Sequence, residues 1–457
     1  MSDTATLAQI AAARPDASTW VGANAGSGKT RVLTNRVARL LLHGTDPRRI
    51  LCLTFTKAAA GEMQNRLFET LGTWAMLPDE ELAKQLSELG ETGLSPERLE
   101  RARTLFASAL ETPGGLKIQT IHAFSEALLR RFPLEAGVPP RFDVLDDRGA
   151  AQLRMGIVEE MAADPGSGFA ALAPYIGRYG TNPDELFRDV ARMRMRFPKD
   201  QGGLAAALNL GAPPPPPLEA FGEVERLIEV LSAGGKTAAK LRDALLNLRA
   251  ETGDLAAVEK ALITGNWTVK ANICTDDMVE AHPDAPDLCE ALADAIRATR
   301  EHEKAERAHA SAAALGHVAT EFLDRLDRAK QIAGALEFDD LIRRAAALLK
   351  DPGQDWIRYR LDGGTHHVLV DEAQDTSPEQ WAIVDALTSE FFAGEGATEG
   401  PRTVFVVGDE KQSIYSFQGA DPDAFEEQRA HYRDSLEAVG AALEDAALLH
   451  SFRSAPV

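Results

Sequence analysis

The stretch VGANAGSGKTRVLTNRVARLLL, Val21 to Leu42, places Gly26, Ser27, Gly28, Lys29 and Thr30 at the head of an apolar periodic run. Successive backbone N–H groups that open into a helix N-terminus form a concave nest for phosphate oxygens. Gly26 and Gly28 let the backbone approach, Lys29 supplies a mobile positive charge, and the Thr30 hydroxyl can ligate magnesium. In the spacing G-x-x-x-x-G-K-[ST] the first position falls on Ala23, with a glycine one residue early at Gly22. A methyl group is a small addition, so the loop Ala23, Asn24, Ala25, Gly26 to Thr30 is expected to survive with slightly altered backbone demands at that turn.

A second constellation, HVLVDEAQD, ends a buried apolar run in Asp371 and Glu372. Strand alternation is expected to point the two carboxylates in different directions. One then holds magnesium through water while the other orients or deprotonates an attacking water. A chance Gly/Ser turn and a solvated acidic loop are the bland readings of either motif alone. Their joint occurrence with the sequel GDEKQSIYSFQGAD, Gly408 to Asp421, displaces both.

These groups need elements to hold them. TWVGA reads as a short buried strand, and after the loop Val32, Leu33, Val37, Leu40 and Leu41 recur at helical spacing as far as Gly44, a C-cap. ILCLTFT, Ile50 to Thr56, is a second strand and KAAAGEMQNRLFETLG the helix after it. Apolar runs near 370 and 406 end in acidic residues. Strands alternating with helices, polar at their C-terminal ends, describe an α/β fold with a parallel, doubly wound sheet and a ligand crevice at that edge. Residues 151–335 are instead Ala/Leu/Glu/Arg-rich and helical, an insertion carrying the run Pro213 to Pro217 as a stiff extended spacer.

The 457 residues suffice for two or three domains, each with its own core. Cys52, Cys274 and Cys289 show no C-x-x-C spacing, which argues against a disulfide framework or a cysteine-based metal site. The paired His366 and His367 and the histidines at 302 and 309 show no metal-ligand spacing. No signal-peptide pattern or long apolar run occurs, so a cytoplasmic protein without membrane association is expected. A formal charge of −21 excludes a histone-like coat of nucleic acid, but a local basic and aromatic groove can still track a single strand.

The ordered set GANAGSGKTR, TFTKAAAGEM, TIHAF, LEFDDL, VDEAQD, GDEKQSIYSFQGAD and SFRS resembles the UvrD-like superfamily 1 DNA helicases and spans nearly the whole chain. Within that group the loop, the SFQGA ending and the large insertion are most similar to the AddA-like subunits of bacterial helicase-nucleases. The resemblance implies a P-loop NTPase (RecA-like) domain in two parts, 1–150 and 336–445, around the helical subdomain 151–335. Residues 446–457 would begin a second RecA-like lobe, so the chain is expected to be a fragment. It also implies ATP and Mg2+, with Thr30 and Asp371 at the metal and Lys29, Glu372, Gln412 and Arg453 as catalytic groups. Gln9 would read the adenine edge, a sound pairing for an amide, and Arg31 and Phe452 would sandwich the ring. Single-stranded DNA would meet Thr54, Phe55, Thr56, Thr120, His122, Tyr415 and Phe417 through hydroxyls and aromatic faces. Gln418 departs from the arginine common in the family, which puts a charged contact there in doubt. Asp339 and Asp340 in LEFDDL read as structural.

The implied function is ATP-driven 3′-to-5′ movement on DNA at duplex ends in double-strand break repair, in the nucleoid, with an AddB-like nuclease partner. The fragment alone is expected to bind ATP and single-stranded DNA weakly and to unwind nothing. Other readings are a different UvrD-like repair helicase and an ATP- and DNA-binding protein without unwinding activity. A small-molecule kinase would leave DEAQD and QSIYSF unexplained, and a decayed nucleotide site conflicts with intact Lys29, Thr30, Asp371, Glu372 and Gln412.

Overall fold

The computed structural model describes residues 4–24, 26–194, 197, 203–208, 210–362, 364–392, 400–409, 422–448 and 450. Eight strands occur among them: β1 (Ser18–Ala23), β2 (Ile50–Thr54), β3 (Lys117–Thr120), β4 (Asp143–Val144), β5 (Ala335–Leu336), β6 (His367–Val370), β7 (Thr403–Gly408) and β8 (Leu443–Leu448). Six form one sheet in the order β3-β2-β6-β7-β1-β8, and every pairing in it is parallel. β4 and β5 make a separate parallel pair.

The central strands β2, β6 and β7 are buried at every position, as strands covered on both faces must be. Side-chain parity sorts them. Trp20, Leu51, Leu53, Val368, Val370, Val404 and Val406 join one apolar cluster, whereas Val21, Ile50, Cys52, Leu369, Phe405 and Val407 join another. Successive side chains alternate across a strand, so the two clusters are the two faces of the sheet. The second face is covered by α2 (Lys29–Leu42), α3 (Lys57–Met76), α4 (Asp79–Glu88) and α5 (Pro96–Leu110), and α1 (Thr4–Ala12) precedes β1. The first is covered by α6 (Ile121–Arg131) and by the helices Phe338–Lys350 and Pro378–Thr388. Each fully buried aliphatic side chain contributes roughly 1.5 to 3 kcal/mol, so covering both faces is what makes this sheet stable.

The chain divides into two compact units, Met1–Asp146 with Lys330–Val457, and Asp147–Ala329. The second is helical among its described residues and has two apolar clusters of its own. Its proline run is not a spacer throughout: Pro217 is the first residue of the helix Pro217–Phe221, where its fixed φ and missing N–H cost nothing. No helix among the described residues is long and apolar enough to cross a membrane.

Candidate functional site

The phosphate loop leaves the C-terminal end of β1. Ala23 is the last strand residue, buried and paired with Leu448, and neither it nor Gly22 has positive φ. A Cβ on Gly22 would meet nothing within 4 Å. The backbone change expected at the first loop position is therefore absent, because an extended strand end accepts alanine as readily as glycine. The left-handed residues are Gly26, φ 72°, and Gly28, φ 88°. Gly28 is the N-cap of α2 and no side chain caps the helix, so the loop ends in uncapped first-turn amides. Ala25 lies outside the described residues.

Gln9 packs directly on this turn. It is buried, its Nε2 donates to the Ser27 carbonyl at 2.8 Å, and a Cβ on Gly28 would come within 2.7 Å of that nitrogen. Arg31, two residues into the helix beyond Lys29, is exposed.

The carboxylates come from the end of β6, two strands from β1 in the sheet. The Asp371 N–H still donates to Leu53 of β2, at 2.9 Å, so this residue prolongs the strand and its side chain is buried. Glu372 then turns into the left-handed region, φ 50° and ψ 45°. Strand geometry thus extends to Asp371, and the turn at Glu372 sets where the second carboxylate stands. A non-glycine residue there carries local strain of order 1 kcal/mol, which its neighbours must hold. The Gln374 amide does so: Nε2 donates to Glu372 Oε2 at 2.8 Å, and Oε1 accepts the Asp409 N–H at the end of β7, also at 2.8 Å.

Lys29 Nζ meets Glu372 Oε2 at 2.5 Å across 343 positions of sequence. Burial, and then the neighbouring Glu372, push the Asp371 carboxyl up to about 7, with Lys29 opposing. A desolvated carboxylate with too little compensating positive charge suits a divalent cation, and the buried Ser27 Oγ has no partner among the described residues. Magnesium needs only one or two carboxylates beside the oxygens of a nucleotide, so Asp371 and Thr30 would hold it. Bound there, it would supply charge neutralisation for phosphoryl transfer.

The ends of β2, next to β6, and of β3 beyond it carry the residues expected on DNA. Thr54 and Thr120 are buried at the ends of β2 and β3, Phe55 is half-buried, and Thr56 is exposed. Thr56 and Thr120 do not simply end strands: each caps the next helix, accepting the N–H of Ala59 and of Ala123 at 3.1 Å. His122 lies one residue into α6, held below its ordinary pKa by burial, with its ring 5.7 Å from Phe338 at 75°. Phe338, which the motif pattern leaves without a role, is 45% exposed. Its neighbour Asp340 is buried on Lys330 Nζ at 2.7 Å, a structural ion pair. Gln412, Tyr415, Phe417, Gln418, Phe452 and Arg453 lie outside the described residues.

The sequence profile of the UvrD/REP helicase N-terminal domain matches residues 5–433. Relatives named as ATP-dependent helicase/nuclease subunits include that of Desulforudis audaxviator, 30% identical over 95% of this chain and 37% of its own length. That of Pelotomaculum thermopropionicum is 28% identical over 95% of this chain and 36% of its own. That of Pediococcus pentosaceus is 25% identical over the same shares. The chain thus spans a little over a third of the length of the curated relatives it matches. With a phosphate loop, a strand-end carboxylate pair and a parallel sheet that aligns them, the chain belongs to the UvrD/REP helicase N-terminal domain family.

Proposed function

We propose that this chain is the ATP-binding part of a DNA helicase that moves 3′ to 5′ along single-stranded DNA, entering at duplex ends during double-strand break repair beside an AddB-like nuclease partner. The carrying observation is the meeting of Lys29 and Glu372 at the C-terminal edge of one parallel sheet, with Asp371 buried beside them. In this reading the loop amides and Lys29 bind the triphosphate, and Asp371 and Thr30 face magnesium. Glu372 gives up Lys29 to the phosphates and then orients the attacking water and accepts its proton. Gln9 faces the adenine edge. Thr54, Phe55, Thr56, Thr120 and His122 contact the strand, and Phe338, the exposed ring beside His122, extends that surface by stacking on a base. The nuclease partner is supported by the helicase/nuclease subunit names of the relatives, and the direction of movement and the repair context rest on the resemblance of the motif set alone.

The test is DNA-stimulated ATP hydrolysis. Lys29→Ala should lower turnover at least ~100-fold, the scale of losing one preorganised transition-state donor. Binding of an oligothymidylate should weaken steeply as salt is raised from about 50 to about 200 mM, because phosphate contacts release counterions. Turnover unchanged by Lys29→Ala, or salt-independent DNA binding, would sink the motor reading.

A further inference from the structure

Gln9 sits on a nine-residue helix, α1, too short to be fixed by its own hydrogen bonds. Its position over the phosphate loop must be set by what grips α1 from outside. Two buried arginines one turn apart on α2 do so. Arg36 donates to the carbonyls of Arg14 and Ala17, beyond the end of α1. Arg39 Nη1 donates to the carbonyl of Ile10, the residue after Gln9, at 2.9 Å.

Arg39 is in turn aimed by a residue from a distant loop. Its Nε donates to Glu91 Oε1 at 2.7 Å, and Glu91 is only 4% exposed. The other oxygen of Glu91 faces His43 Nε2 at 2.8 Å and accepts from Arg98. Burial alone would raise this carboxyl, but His43 and Arg39 pull it down to about 2, so it stays charged. The same loop also touches α1 directly. Gly90 has φ 86°, and a Cβ there would collide with Ile10. Glu91 and Gly90 thus close on Ile10 from two sides, through Arg39 on its carbonyl and by backbone contact on its side chain.

We propose that Glu91 is a positioning residue for base selection: through Arg39 and the Ile10 carbonyl it sets where the Gln9 amide stands relative to the nucleotide base. The proposal rests on the reading of Gln9 as the adenine-facing group. Adenine offers an amide one donor and one acceptor, whereas guanine offers two acceptors at the matching edge. The ratio of ATP to GTP affinity therefore reports the placement of the Gln9 amide. Affinity for inorganic tripolyphosphate, which has no base, reports the loop alone.

The experiment displaces a fluorescent ATP analogue from the 457-residue chain with ATP, GTP and tripolyphosphate, each with Mg2+. Glu91→Gln, which keeps the volume and removes the charge, should shrink the ATP/GTP ratio by roughly fivefold or more, the lower end of what one bidentate base contact provides. Tripolyphosphate affinity should stay within about twofold. Gln9→Ala should abolish the ratio, and Glu91→Gln added to Gln9→Ala should change nothing further. An equal loss for all three competitors, or an unchanged ratio in Glu91→Gln, overturns the proposal while leaving Gln9 in place. An unchanged ratio in Gln9→Ala overturns the reading of Gln9 and the proposal with it. Should Glu91→Gln not fold, His43→Ala, at a side chain 43% exposed, must move the ratio in the same direction by a smaller factor, and no movement there also overturns the proposal.

Discussion

Asp371 and Glu372 are adjacent carboxylates in different surroundings. Glu372 is tied to Lys29 and Gln374, within reach of solvent, while Asp371 is buried and its carboxyl is pushed up to about 7 by burial and by Glu372. The sign follows from proton counts. Between about pH 4 and 7 the folded chain holds a proton on Asp371 that the unfolded chain has lost, so this stabilising contribution is complete below pH 4 and disappears as pH rises through 7. Asp371→Asn should therefore melt at least roughly 2 °C above the parent at about pH 8, without nucleotide, and the gap should close toward pH 4. Thermal melts at a series of pH values check it, and a variant less stable than the parent on the alkaline side would show that the carboxylate is compensated after all. Glu372→Gln should keep nucleotide affinity within a few-fold and lose ~100-fold or more in hydrolysis, as expected for a general base. Equal losses in binding and turnover would place Glu372 in binding only.

The phosphate loop and the strand-end carboxylates were legible in the sequence because each motif is local: a few consecutive residues state the chemistry, although the left-handed turn at Glu372 was not foreseen. That β2, β6 and β7 are buried strands was legible for the same reason, since their apolar runs are continuous. The grip on α1 was not. Arg39 and Glu91 are 52 positions apart, and an arginine in the middle of a helix reads as solvated until the fold buries it. Phe338 was missed for the converse reason, because residue type carries no information on whether a ring is left uncovered. The histidine that opens β6 shows how an element can hide a titrating group. His367 Nδ1 pairs with Thr403 Oγ1 of β7 at 2.8 Å, and burial, with Arg36 and His366 adding to it, drives its pKa down to about 3. In the window from pH 6.5 to 3 the unfolded chain binds a proton here and the native sheet does not, so stability is present above 6.5 and lost as pH falls. His367→Asn, which keeps a partner for Thr403, should lose less stability than the parent between about pH 6.5 and 5, by about 2 kcal/mol at roughly 1.4 kcal/mol per unit. Urea unfolding at the two pH values measures it, and parallel losses in both proteins would put the acid sensitivity elsewhere.

At the scale of the whole molecule, the net charge of −21 means that any DNA path must be a local feature, since the average surface repels a polyanion. The core is divided as well. Each of the four apolar clusters lies wholly within one unit, two around the sheet and two in the helical unit 147–329. Cooperativity comes from shared buried contacts, so units with separate cores are expected to melt as separate transitions. All the described candidates for the nucleotide, Gln9, Ala23, Asn24, Gly26 to Arg31, and Asp371 with Glu372, belong to the unit that contains the sheet. Ligand that binds only the folded state of one unit stabilises that unit by about 2.7 kcal/mol at a hundred times its Kd. Scanning calorimetry of the chain should therefore resolve two transitions, and saturating MgATP should raise one of them by several degrees while leaving the other within about 1 °C, a shift set by the size scaling of unfolding entropy. Lys29→Ala should abolish that shift without moving the second transition. A single transition that moves as a whole would mean that the helical unit draws its stability from the sheet, and that nucleotide energy is felt across the entire chain at equilibrium.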